Sequence, residues 1–268
     1  GIVAENSVAE ILAVGAYQDA SSSAHTVTAS GNAAISTTQK KFGTHSIAFD
    51  GTTDYLQLAN HTDWDFGSSS FTIEAWFYST TGSSDRVICS NWTSGSPPYA
   101  GGWELLLTDS GGHKLNFYWD YGGGLRSIVG TATVSHNTWH HVAAVRNGNV
   151  FTIYLDGVSH ATTTQSDTID NTSQVLRIGG APYNSRWWNG YIDEVRISNS
   201  ARYTANFTPS TTAFTSDANT KLLIHGEAQA AVPAVANTGS SSSAELQGSA
   251  GAKYYEGQTT AVAAHTAH

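Results

Sequence analysis

The chain has no methionine, a single cysteine, five prolines and few charges, with Asp, Glu, Lys and Arg making up only 12% of its 268 residues. Without a second cysteine there can be no intrachain disulfide and no cysteine-based metal centre. Cys89 lies in the strand-like run Arg86-Val87-Ile88-Cys89 and reads as a buried thiol, not a reactive one. With no methionine, not even an initiator, the chain is expected to be a processed product or a piece of something longer. The residues given contain no charged-then-apolar stretch of the signal-peptide kind and no run of roughly 18 apolar residues that could span a bilayer. Basic charge is scarce as well. Twelve Lys and Arg against 21 Asp and Glu leave a formal charge of −9, which removes the electrostatic basis for gripping nucleic acid or an anionic membrane. A cation or a neutral sugar is the more natural ligand.

What the chain does have is 40% hydrophobic residues and 26 glycines, amid abundant Ser, Thr and Asn. That composition suits one large all-β domain of short strands and many turns. Its organising stretch is Phe71-Thr72-Ile73-Glu74-Ala75-Trp76-Phe77-Tyr78. Phe71, Ile73, Ala75 and Phe77 share one face and Thr72, Glu74, Trp76 and Tyr78 the other, the period of two that marks a strand. Two later strands answer it, at Trp139–Arg146 and Tyr191–Arg196. Asn147-Gly148 and Asp156-Gly157 read as successive type I′ hairpin turns flanking Val150–Leu155. Strands are also expected at Ser46–Asp50, Asp54–Leu58, Trp103–Leu107, Lys114–Trp119, Gln174–Gly179 and Lys221–His225. No convincing amphipathic helix appears before Gly226, so the pattern favours a two-sheet antiparallel sandwich or jelly roll. Residues 1–16 read as an N-terminal arm and 17–226 as the domain. Residues 227–268, mostly Ala, Gly, Ser, Thr and Val, read as a tail or a truncated degenerate repeat.

Five motifs in order carry a resemblance: Phe49-Asp50-Gly51 with Asp54-Tyr55-Leu56, Phe71–Trp76, Trp139-His140-His141-Val142-Ala143, Tyr154-Leu155-Asp156-Gly157, and Gly190–Arg196. Together they resemble the laminin G-like, concanavalin A-like lectin/glucanase superfamily. The run Ala201–Pro209, followed by Leu222-Leu223-Ile224-His225, is similar to versions found in bacteriophage structural proteins. The resemblance implies a jelly roll of two curved antiparallel sheets, a glycan or protein ligand and, in many members, a structural calcium.

Glycoside hydrolases of this fold carry two carboxylates in a Glu-x-Asp-x-x-Glu pattern on one strand face. Here Tyr191 stands in place of the first acid and Arg196 in place of the third, while the adjacent Asp193 and Glu194 are expected on opposite strand faces. The chain is therefore read as noncatalytic. The eleven histidines are scattered, and His140-His141 reads as one packed and one solvated ring.

Hard cations want oxygen ligands gathered from loops. Asp50, Asp54 and Asp193 sit where members of the resembled family keep their metal, with the Gly51 carbonyl and Asp19 as further candidates. Equally, Asp50 and Asp54 read as plain turn formers. For a sugar, loop aromatics that can stack on a pyranose are the feature to find. The candidates are Trp92 and Tyr99, Tyr121 before a glycine run, and Tyr183, Trp187 and Trp188 with Arg186 as a donor. Trp187 and Trp188 cannot both face inward on an extended chain. The same patch reads as well as a contact with another protein or another copy of the chain. The expectation is a noncatalytic extracellular adhesion domain on a virion surface, of decoration or fibre type. It would bind cell-surface glycans through its loops and other virion or surface proteins through its termini. The alternative is a secreted carbohydrate-active enzyme or its carbohydrate-binding module.

Overall fold

The structure, a computed structural model, describes residues 17–80, 84–92, 101–109, 112–122 and 124–227. The chain divides into two compact units, residues 1–231 and 232–268. The expected arm over 1–16, the tail beyond Glu227 and Tyr99 lie outside the described residues.

In chain order the strands are β1 (Thr28–Ser30), β2 (Ala34–Ser36), β3 (Ser46–Asp50), β4 (Tyr55–Leu58) and β5 (Phe71–Ser79). There follow β6 (Arg86–Ser90), β7 (Trp103–Thr108), β8 (Lys114–Asp120), β9 (Leu125–Val129), β10 (Trp139–Asn147) and β11 (Val150–Leu155). The rest are β12 (Val158–Thr164), β13 (Leu176–Ile178), β14 (Gly180–Ala181), β15 (Arg186–Trp187), β16 (Asn189–Ser198) and β17 (Thr220–Ile224). Short 3-10 turns lie at Thr62–Trp64 and Pro182–Asn184. Among the described residues no helix is long and apolar enough to cross a membrane.

Two antiparallel sheets take up all but two of these strands, one ordered β1-β4-β13-β6-β7-β8-β9 and the other β12-β11-β10-β5-β16-β3-β2, with β17 paired to β16, while β14 and β15 pair with each other in a separate hairpin. The alternation read from the sequence decides which residues lie between them. Phe71, Ile73, Ala75 and Phe77 from β5 join Val142, Phe151 and Ile192 on one side and Leu105, Phe117 and Trp119 on the other in one continuous core. Trp119 stacks on Phe151 across the gap with ring centroids 4.4 Å apart and 1° between planes. Burial of this kind stabilises by about 25 cal/mol per Å² of apolar surface, so the aromatic seam is the main force holding the layers together. This is the concanavalin A-like jelly roll expected.

The turns follow the sequence only in part. Asp156 and Gly157 both have positive φ, 51° and 80°, between the paired residues Leu155 and Val158, which is the type I′ turn expected. At the other hairpin Asn147 pairs with Val150, and of the two turn residues only Gly148 is at positive φ, so the turn is of type II′, shifted by one residue. The Asp50-Gly51 turn closes no hairpin, because β3 and β4 belong to different sheets. In β16 a bulge lies between Asp193 and Arg196, with Glu194 at φ 53°. That extra residue breaks the alternation, and the expectation of opposite faces for Asp193 and Glu194 is corrected. Asp193 takes the N–H groups of Lys41 and Phe42, while Glu194 takes the N–H of Phe214 and the His225 ring, so both are occupied on the outer side.

The outer face of this second sheet is itself covered. The segment 199–219 runs across it, placing Phe214 against Trp76 and Leu223, and stacking Tyr203 on Phe207 beside Tyr154. Beneath it Glu74, with both oxygens buried, accepts hydrogen bonds from Arg196, His141 and Tyr203. His141 is the packed histidine of its pair, and His140 sits in the other direction against Asp156 and Ser135.

Candidate functional site

Among the described residues, what covers the outer face of the seven-stranded sheet is the short β14–β15 hairpin over its middle. Cross-strand register lays one polar row along that face: Thr28 opposite Gln57, then Arg177, Ser90, Glu104, Tyr118 and Ser127. The alternation requires this, because Leu56, Leu58, Leu105, Phe117 and Ile178 are all turned to the core. Six steps of strand spacing make the row about 29 Å long. Thr28 and Ser127 at its ends are exposed, while Ser90 and Glu104 in the middle are buried.

What buries the middle is the β14–β15 hairpin with its 3-10 turn, in which Pro182 fixes the first helical position and Ser185 closes the turn at φ 52°. Ala181 and Tyr183 pack on Val87, Leu106 and Tyr118 of the sheet. Tyr183 and Arg186 both donate to the Glu104 carboxylate, Ser90 donates at 3.3 Å, and Arg186 also lies 3.4 Å from Asp85. Burial pushes the Glu104 carboxyl above its ordinary range despite Arg186 and Tyr183. Burial, then the Glu104 charge, push the Tyr183 hydroxyl strongly upward, so it stays a donor. Trp187 continues the hairpin and lies parallel to Tyr55, with centroids 6.1 Å apart and 18° between planes. The Arg177 guanidinium sits 5.8 Å from the Tyr55 ring.

Of the residues expected to meet a sugar, the structure thus gathers Tyr183, Arg186 and Trp187 on one face. Tyr121 is at the rim, following β8, with Arg126 over its ring at 4.4 Å. Two expectations are corrected by burial. Trp188 is wholly inside, edge-on to Phe77, because alternation in an extended pair sends one of two neighbours inward. Trp92 is 5% exposed and held by its backbone N–H to Ser90 Oγ, so neither ring presents a face to solvent. Sequence reasoning missed Tyr55, Gln57, Ser90, Glu104 and Arg177. Glu104 alone carried a signal, a lone carboxylate in the apolar run Trp-Glu-Leu-Leu-Leu, which when buried needs a cationic partner.

The five groups expected around calcium are not gathered. Asp50 pairs with Asn189 and Asp193 is four residues further along β16, about 13 Å away at strand rise. Asp19 lies elsewhere again, beside β17, accepting from the N–H groups of Ser21, His25 and Leu223. Asp54 accepts the N–H of Asn32 at 2.5 Å and of Asp50 at 2.9 Å, one on each oxygen, and Asp50 accepts from Thr52. Asp193 takes three main-chain N–H groups, from Lys41, Phe42 and Glu194. These carboxylates, with the Gly51 turn between Asp50 and Asp54, staple loops to strands. As a set they do not fit one calcium sphere, which needs six to eight converging oxygens.

A comparison with curated proteins finds no match. Domain 4 of AbnA, a GH43 extracellular arabinanase of Geobacillus stearothermophilus solved with arabinotriose, is similar at TM-score 0.51 and 14% identity, over 64% of this chain and 77% of that one. Domains LG4-5 of the mouse laminin alpha1 chain match at TM-score 0.42 and 18% identity, over 61% and 46%. Full-length tailspike protein 2 of Escherichia coli O157:H7 bacteriophage CAB120 matches at TM-score 0.46 and 10% identity, over 69% of this chain and 26% of that one. The model of the Laminin_G_3 family, the concanavalin A-like lectin/glucanases superfamily, matches residues 50–206, more than half of the sequence, and the chain belongs to that family.

Proposed function

We propose that the chain is a noncatalytic glycan-binding domain whose ligand lies along the outer face of the seven-stranded sheet. The observation that carries this reading is the end of the polar row that the β14–β15 hairpin leaves open, Thr28, Gln57 and Arg177, beside the parallel Tyr55–Trp187 pair. A saccharide offers apolar ring faces and a rim of hydroxyls, and aromatic planes next to an amide and a guanidinium are what such a ligand selects. Arg177, half-buried with its guanidinium beside the Tyr55 ring, adds a donor at this aromatic pair. Bond cleavage would need two carboxylates flanking the sugar. On this face Glu104 and Asp85 instead share Arg186, which occupies the space between them. The arabinanase domain of the same fold, with its arabinotriose, supports a saccharide as the class of ligand.

The domain is proposed to act outside a cell, on a virion surface as a decoration or fibre-type protein, a placement supported by the phage-like run Ala201–Pro209. As the binding module of a secreted carbohydrate-active enzyme it would use the same face. A glycan array, followed by a reducing-end assay on every bound polysaccharide, tests the reading. Binding without release of new reducing ends supports it, and turnover of any bound glycan overturns it.

A further inference from the structure

The geometry points to a transition-metal site, of the kind zinc occupies, formed by His25, His61 and Asp63. None of the three belongs to the polar row or to the groups expected to hold calcium. The ligand atoms of the three residues lie within 4.8 Å of one another. His25 Nε2 is 2.9 Å and His61 Nδ1 3.3 Å from the same Asp63 oxygen, Oδ2. Ligands of a tetrahedral zinc at about 2.0–2.1 Å from the metal stand about 3.3 Å from each other, so little movement is needed to admit the ion.

The three side chains are held by the fold. Asp63 is in the 3-10 turn capped by His61, and the next residue, Trp64, is fully buried and anchors that turn in the core. The backbone N–H of His25 donates to Asp19 Oδ2, and Asp19 is bonded in turn to the N–H of Leu223. The His25 ring packs at 4.7 Å from Trp64 and 4.6 Å from His61. Ser23 Oγ donates to Asp63 Oδ2 at 2.9 Å, the outer hydrogen bond that orients a ligating carboxylate. His25 and Asp63 side chains are 13% and 16% exposed, whereas His61 is 48% exposed and leaves one side open for entry and for a water as fourth ligand.

Two imidazoles and one carboxylate select zinc, nickel or copper over calcium or magnesium, which prefer all-oxygen shells. Binding through His61 Nδ1 would replace the hydrogen bond that nitrogen now accepts from the Asp63 N–H.

The test is calorimetric titration of the untagged chain with zinc chloride at neutral pH, with cobalt(II) absorption as the spectroscopic readout. One equivalent should bind and raise the melting temperature, and bound cobalt should show the intense visible bands of a tetrahedral site. His61→Ala and Asp63→Asn should each weaken zinc about 10- to 100-fold, beyond the modest drop in apo melting temperature that comes from losing the cap bond to the Asp63 N–H or the Ser23 and His25 bonds to Asp63. His113→Ala, in the histidine pair with His136, should leave the titration as it is. No saturable binding at millimolar zinc, or binding that survives His61→Ala and Asp63→Asn together, would overturn the proposal.

Discussion

Arg196 and Glu74 face each other from neighbouring strands, and both Nε and Nη2 of the arginine lie 2.8 Å from Glu74 Oε1 in a buried setting. His141 and Tyr203 bring two further donors to the other oxygen. The pair is thus the point at which β5, β10, β16 and the covering segment 199–219 are tied to one carboxylate.

Glu74→Ala should therefore be among the most damaging single changes. It leaves a buried guanidinium without its counter-charge, a loss of about 3–5 kcal/mol. Urea unfolding of the variant measures it, and a loss under about 1 kcal/mol would show that the cluster is not a structural tie.

Acid should undo the same tie. Burial pushes Glu74 upward, but the bonds from His141 and Arg196 outweigh it and hold the carboxyl below its ordinary value of 4.5. A depressed acid contributes stability that is present above its unfolded pKa and lost as pH falls through the folded one. The advantage of wild type over Glu74→Gln should shrink below about pH 4.5.

Asp193 has the opposite sign. Burial, and more weakly Glu194, raise its carboxyl from 3.8 to about 7. The folded state then holds the proton more tightly, so stability falls as pH rises from about 4 to about 7 and levels off above. Thermal melts of wild type against Asp193→Asn should show wild type losing ground across that window. A constant difference would contradict the shift.

Arg186→Ala would leave Glu104 buried with only neutral donors. We expect a loss of about 3 kcal/mol at pH 7. The deficit should narrow as the pH falls and Glu104, whose carboxyl burial already holds above its ordinary range, takes up a proton. A deficit independent of pH would mean that Glu104 is already neutral in the native protein.

Much of the fold was legible because alternation is a local property. Phe71, Ile73 and Phe77 could be assigned to the core from their spacing, and Asp156-Gly157 named its own turn. The bulge at Glu194 was not legible, since a non-glycine residue at positive φ has no sequence mark and depends on what β3 and β17 require of β16. The site was legible where it lies on one segment, as with Tyr183, Arg186 and Trp187. It was hidden where register assembles it: Gln57, Arg177, Ser90 and Glu104 are neighbours only because four strands pair in that order. His25 and His61 were likewise two of eleven scattered histidines until the Thr62–Trp64 turn brought them together.

Gly157→Ala tests how the covering segment is held. At φ 80° an added Cβ would lie 1.9 Å from the Phe207 carbonyl oxygen, so the hairpin and the segment cannot both keep their places. The variant should lose about 1–3 kcal/mol. Gly148→Ala, with nothing within 4 Å of its Cβ, is the control for strain alone.

The most direct measurement is the array signal of wild type beside that of Tyr55→Ala/Trp187→Ala, on proteins of matched melting temperature. The double variant is expected to lose at least about tenfold in affinity for every glycan that wild type retains. Equal binding by both proteins, or no glycan retained by wild type, would contradict a saccharide site on this sheet.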